Sequence, residues 1–118
     1  MPHMLLIHEA IGQRATRTDA EGRARYEEML RWGDDLKTRG LLLAAESLAP
    51  AANSARVTLL EGKARIVDGP FAETKEMIGG FFLVDIGTRE EAIALAAECP
   101  AAAWATVEVR ALAPCYVR

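Results

Sequence analysis

Cysteine is scarce in this chain: 118 residues include only two, Cys99 and Cys115. They form no CxxC pair and have no histidine-rich partner segment, which excludes the usual structural zinc patterns. Both are expected to be reduced, with Cys99 a small core residue. A basic patch is also missing. The 14 lysines and arginines are scattered among 17 acids, the formal net charge is −3, and direct nucleic-acid binding is not expected. Long hydrophobic runs are absent too. Met4 to Ile7, Leu41 to Ala45 and Phe81 to Val84 are the longest, far below the roughly 20 residues that cross a bilayer. The opening Met-Pro-His-Met has neither a basic leader nor a sustained apolar stretch, so a cytoplasmic location is expected. Gly79-Gly80 lacks a GxGxxG or GxxxxGK[ST] context and leads into a strand rather than a helix. No nucleotide, other cofactor or metal is therefore expected.

What remains is the composition of an ordinary folded domain. Apolar residues make up 51% and charged residues 26%, far from the balance of disordered chains. The length suits one domain, residues 1–118, with one core.

Met4 to His8 reads as a short strand. Thr18 or Asp19 can cap a helix running to about Arg39, with Tyr26, Met29, Leu30, Gly33 and Leu36 on one stripe and Gly40 ending it. Leu41 to Leu48 is a second strand, its alanines being weak strand formers, and Pro50 stops it. Val57 to Leu60 and Ala64 to Val67 flank Glu61-Gly62 as a tight hairpin. Asp68-Gly69-Pro70-Phe71 is turn chemistry, and Glu73 to Glu76 is long enough for one helical turn. Phe81 to Ile86 is the strongest strand. Thr88 caps a second helix through about Glu98, with Ala92, Leu95, Ala96 and Cys99 on one face and Pro100 ending it. Thr106 to Arg110 closes as a final strand.

With the hairpin set aside, the order is strand, helix, strand, strand, helix, strand. That is an α+β fold of the ferredoxin-like, split βαβ kind carrying an inserted β-hairpin. Right-handed crossovers put both helices on one side of the sheet. The other side needs cover, because Met4-Leu5-Leu6-Ile7 and Phe81-Phe82-Leu83-Val84 are apolar at every position. A second copy packed face to face would supply it, giving a homodimer. The alternative is that the hairpin folds over that face.

The segment from Asp68 to Glu76, followed by Gly79-Gly80-Phe81-Phe82, resembles the signature of the DGPF-domain branch of the YCII-related superfamily. The likeness runs from Met4-Leu5-Leu6-Ile7 to Val107-Glu108-Val109-Arg110 and includes Cys99-Pro100-Ala101-Ala102. It implies a ferredoxin-like dimeric α/β barrel. For the wider superfamily it also implies a paired His and Asp, with the Asp in the region of Asp68. The superfamily's His falls in the first helix, where this chain has Tyr26, Glu27, Glu28 and Met29 instead.

Asp68 is the leading catalytic candidate: a carboxylate at a strand end beside Pro70 and Phe71 can be partly desolvated, which raises its pKa toward acid/base use. The competing reading has it fix the turn by accepting backbone N–H bonds. His8 shares the parity of Met4 and Leu6, reaches the rim of their sheet face, and is a candidate replacement for the missing histidine. Pro70, Phe71, Glu73 and Lys75 are candidate substrate-binding residues, although a charge run is more often a solvated face. Two functions stay open. One is a cofactor-independent acid/base enzyme acting on a small organic molecule. The other is a non-catalytic binding or accessory protein. The resemblance links it to an extracytoplasmic-function sigma factor as partner.

Overall fold

The computed structural model describes all of residues 1–118. Six strands and two helices follow one another as β1 (His3–Ala10), α1 (Asp19–Thr38), β2 (Leu42–Ser47), β3 (Ala55–Leu60), β4 (Lys63–Asp68), β5 (Glu76–Val84), α2 (Arg89–Glu98) and β6 (Thr106–Ala111). The main sheet has four strands in the order β2-β5-β1-β6, every neighbouring pair antiparallel. This is the split βαβ succession the sequence predicts, with β3 and β4 as the insert.

Both helices begin where the sequence caps them. The Thr18 hydroxyl accepts from the Glu21 amide, and the Glu21 carboxylate accepts from the Thr18 amide, a complete capping box. Hydrogen bonding to Thr18, and then the nearby Arg25 and Arg17, hold the Glu21 carboxyl below its usual range. Thr88 caps α2 with a single bond, its hydroxyl accepting from the Glu91 amide. Between the helices and the sheet lies one apolar core. Leu5, Ile7, Phe82 and Val84 from the strands meet Trp32 and Leu36 from α1 and Ala92, Leu95 and Ala96 from α2. Trp32 and Phe82 pack edge to face with ring centroids 4.8 Å apart. Cys99 lies in this core and is free, as expected; burial pushes its thiol pKa up, which keeps it unreactive.

Two local expectations change. Tyr26 and Leu30 are about half exposed rather than buried, and the buried residues of α1 are Trp32, Gly33 and Leu36. Glu73 to Glu76 forms no helix: residues 72 and 73 are a turn, and Glu76 opens β5 opposite Ala10. Cross-strand pairing outweighs what the local charge run would prefer. Within one chain the main sheet is open and no barrel closes.

The insert is a separate two-stranded sheet, joined by a tight turn with positive φ at Glu61 and Gly62. Every residue of β3 and β4 is exposed, so the hairpin does not cover the bare face. It stands out as an arm. The radius of gyration, 16.1 Å, exceeds the roughly 13.5 Å of a compact domain this long. The uncovered sheet face carries Met4, Leu6, Phe81 and Leu83, each only half-buried. No helix is long and apolar enough to cross a membrane.

Candidate functional site

β1 alternates buried and half-buried residues, with His3, Leu5, Ile7 and Glu9 on the helix side. Two polar residues thus lie on an inward face, and each has a partner. The His3 ring donates from Nδ1 to the Ile86 carbonyl at 2.7 Å. The carboxylate of Glu9, a residue only 7% exposed, accepts from Arg14 Nε at 2.5 Å through Oε1. Arg14 stands on a single 3-10 turn, Arg14–Thr16. Its guanidinium also donates to the carbonyls of Leu48 at 2.9 Å and Gly79 at 3.3 Å. One side chain therefore ties the ends of β1, β2 and β5 together.

Gly79 is what makes room. Ile7 pairs with Gly80 and His8 with Ile78, so Gly79 is the extra residue of a β-bulge. A Cβ there would lie 2.4 Å from Glu9 Oε2 and 2.9 Å from Arg14 Nη2. The glycine serves this close approach and not a special φ, because a Cβ would have to displace the Glu9 and Arg14 side-chain ends. Glu9 Oε2 makes no hydrogen bond within the chain and is not sealed from solvent.

Above this pair, between α1 and the edge of the sheet, opens a cleft of about 590 Å³. Its walls are largely apolar, with Ile7, Met29, Leu42, Phe82 and Trp104 among them, and Arg17, Arg25 and Tyr26 also line it. The Arg25 and Arg17 guanidiniums lie 4.8 and 5.9 Å from the Trp104 ring centroid, within cation–π range. Such a concave, mainly apolar space with a few converging polar groups is where small molecules bind. Sequence reasoning missed Glu9, Arg14, Arg17, Arg25 and Trp104. One signal was available: Glu9 continues the parity of Leu5 and Ile7, and an acid on a buried face needs a cation.

The residues singled out by sequence lie elsewhere. Asp68 ends β4 in the arm, exposed, opposite Ala55. Its carboxylate has no hydrogen bond or ion pair within the chain. His8 is in the main sheet, with Nε2 2.6 Å from Glu108 Oε1. Arg110 holds the other Glu108 oxygen, Oε2. The His8 bond and then Arg110 keep the Glu108 carboxyl below its usual range. His8 and Asp68 therefore belong to different sheets, and His8 is paired with Glu108 instead.

Pro70, Phe71 and Glu73 do come together, in a shallow groove of about 410 Å³ against the arm. The Arg56 guanidinium lies 3.7 Å from the Phe71 ring centroid and pairs with Glu73 at 3.1 Å. Gly69 permits this turn, because a Cβ would overlap the Ala51 carbonyl oxygen at 2.0 Å. The Gly69-Pro70 bond is cis. Lys75 lies outside the groove; its carbonyl accepts from the Ile11 amide at 2.9 Å.

An open antiparallel sheet, two helices on one face and a ligand-sized cleft beneath α1 define a small α+β domain with a cavity of its own. The chain belongs to the YCII-related domain family, whose pattern matches residues 1–115. It is also similar to the "Uncharacterized protein R00369" of Rhizobium meliloti (strain 1021), with 38% identity over 76 residues. That match covers 63% of this chain and 61% of the relative.

Proposed function

We propose that the protein binds a small organic molecule in the cleft under α1 and moves a proton on it, with Glu9 as the proton acceptor. The observation that carries this reading is the Glu9 carboxylate at the cleft floor. One oxygen is fixed by Arg14 and the other is left without a partner. A carboxylate fixed through one oxygen, with its other oxygen unbonded and lining a largely apolar cleft, is held in position to accept a substrate proton. Arg14 would keep it aimed. The reaction class is proton abstraction from, or isomerisation of, a small acidic carbon or hydroxyl compound.

The motif Asp68-Gly69-Pro70-Phe71 supports placing the chain in the DGPF branch of its family. Two bare surfaces support a homodimer of ferredoxin-like sheets. One is the open face with Met4, Leu6, Phe81 and Leu83. The other is the arm, where Val57, Leu59 and Ile66 share one face at 64%, 70% and 63% exposure. A lone hairpin is marginal in water, so the arm gains by packing on something. In such a pair the unpartnered Asp68 and the groove of Pro70, Phe71 and Glu73 would meet the second copy. The accessory role, with a sigma factor as partner, would use this same arm.

The test is a thermal-shift screen of small organic acids, lactones and phenols, followed by proton exchange of each hit in D₂O read by NMR. Wild type should exchange the hit's acidic C–H. Glu9→Gln should bind it and exchange it about 100-fold more slowly or worse. Equal exchange by Glu9→Gln would remove Glu9 from the chemistry, and hits that ignore every cleft substitution would remove the cleft.

A further inference from the structure

Arg17 and Arg25 are brought to the same indole, and neither has a close, buried carboxylate as partner. Arg17 makes no ion pair or side-chain hydrogen bond, and Arg25 has only Glu28, at an exposed 3.5 Å. Glu21 lies near both and offsets part of their charge, while its carboxylate also accepts from the Thr18 amide of the capping box. Among the other acids of the cleft, Glu9 is matched by Arg14. Asp34 is nine residues beyond Arg25 on α1, about 13 Å along the helix. Glu46 follows Ala45, which packs against the core, so its side chain leaves on the opposite sheet face. Two guanidiniums over one ring repel each other, and an anion between them turns that repulsion into attraction.

We infer that Arg17 and Arg25, gathered on Trp104, form the anion-recognition end of the cleft, and that its ligand is a carboxylate with an apolar, ring-sized body. This rests on the reading of the cleft as the binding site and names the class of compound it takes. Carboxylate fits because planar guanidiniums meet planar carboxylates in paired hydrogen bonds. The apolar walls take the body of the molecule. Glu9 at the floor rejects a second negative charge there and accepts a hydrogen-bond donor or an acidic proton instead. The ligand is thus a monoanion that enters with its charge toward the mouth.

The experiment is calorimetric titration of the full chain with 2-naphthoate and with its neutral analogue 2-naphthamide, in wild type and Arg17→Gln/Arg25→Gln. Glutamine keeps much of each stem, and circular dichroism checks the fold. Wild type should prefer the acid about tenfold or more, the loss expected when a charge-assisted bond is removed. In the double variant the acid should fall to the affinity of the amide, with the amide unchanged. Equal binding of both compounds by wild type would overturn the inference while leaving the cleft reading intact. An acid preference that survives in the double variant would overturn it as well, placing the charge recognition elsewhere. Binding of neither compound would overturn the carboxylate assignment, and the proton-exchange test would then judge the cleft separately.

Discussion

Glu9 and Gly79 lie so close that residue 79 has no space for a side chain: a Cβ there would fall 2.4 Å from the Glu9 carboxylate. The bulge in β5 and the buried acid of β1 are one arrangement, and Arg14 joins them by bonding both. Gly79→Ala should therefore displace the pair before it disturbs the sheet, with a stability loss of about 1–3 kcal/mol, the usual size of an overpacking effect. In a Glu9→Ala background the same change should cost about 1 kcal/mol or less, because the atoms it strikes are gone or loosened. Urea denaturation of the four proteins measures this coupling. Additive losses would mean that the glycine serves the backbone and not the carboxylate.

The open face of the sheet has an acid-sensitive contact in His8, Glu108 and Arg110. The Glu108 carboxyl titrates below its ordinary range in the folded chain because His8 and Arg110 bond its charged form. A carboxylate depressed in this way adds stability at pH values above its unfolded pKa, near 4.3, and loses it as the pH falls through the lower folded value. Glu108→Gln should thus lower the Tm at neutral pH and flatten the Tm drop on the acid side. Melting curves from neutral pH to about pH 3 check it. Parallel curves for both proteins would show that the contact contributes nothing to folding.

The main sheet and both helices were legible because local signals and fold agree there: Thr18 and Thr88 as caps, Gly40 and Pro100 as stops, and the apolar runs of β1 and β5. Where they disagree, the sequence reading went astray. Of the expected stripe of Tyr26, Met29, Leu30, Gly33 and Leu36, the helix buries Gly33 and Leu36 together with Trp32 and packs Met29 against the core. Tyr26 and Leu30 are left to wall the cleft. Periodicity marks the apolar stripe but not how much of its width the sheet covers. The cleft was harder to read for a second reason. Its polar residues come from β1, the 3-10 turn after it, the start of α1 and the turn before β6. No short motif spans them, whereas Asp68-Gly69-Pro70-Phe71 is contiguous and drew attention to the arm.

Arm residue Leu59 is 70% exposed, so within one chain its replacement by Asp removes almost no contact. If two copies pair through the arm, the same change buries a charge against apolar surface, which costs several kcal/mol. Leu59→Asp should then shift the protein from dimer to monomer in sedimentation equilibrium while circular dichroism is unchanged. A wild type that sediments as a monomer at high micromolar concentration would sink the pairing, as would a variant that still dimerises with undiminished affinity.

The indole of Trp32 sets two opposing terms against each other. Its ring packs on Phe82 in the core, yet its N–H is buried with no partner. Trp32→Phe keeps an aromatic ring against Phe82 and loses part of the buried volume, a penalty of about 1–2 kcal/mol from lost burial and the void left behind. It also deletes an unsatisfied donor whose burial costs about 1–3 kcal/mol. The two nearly cancel, so Trp32→Phe should change unfolding free energy by less than about 1 kcal/mol, far less than the 3–5 kcal/mol typical of large aromatic deletions. Trp32→Ala removes the donor too but leaves most of the ring volume empty, and should fall in that larger range. Urea unfolding of both variants separates the terms. A loss of several kcal/mol in Trp32→Phe would mean that the indole N–H has a partner in solution, such as a buried water, whose bond the phenylalanine cannot replace.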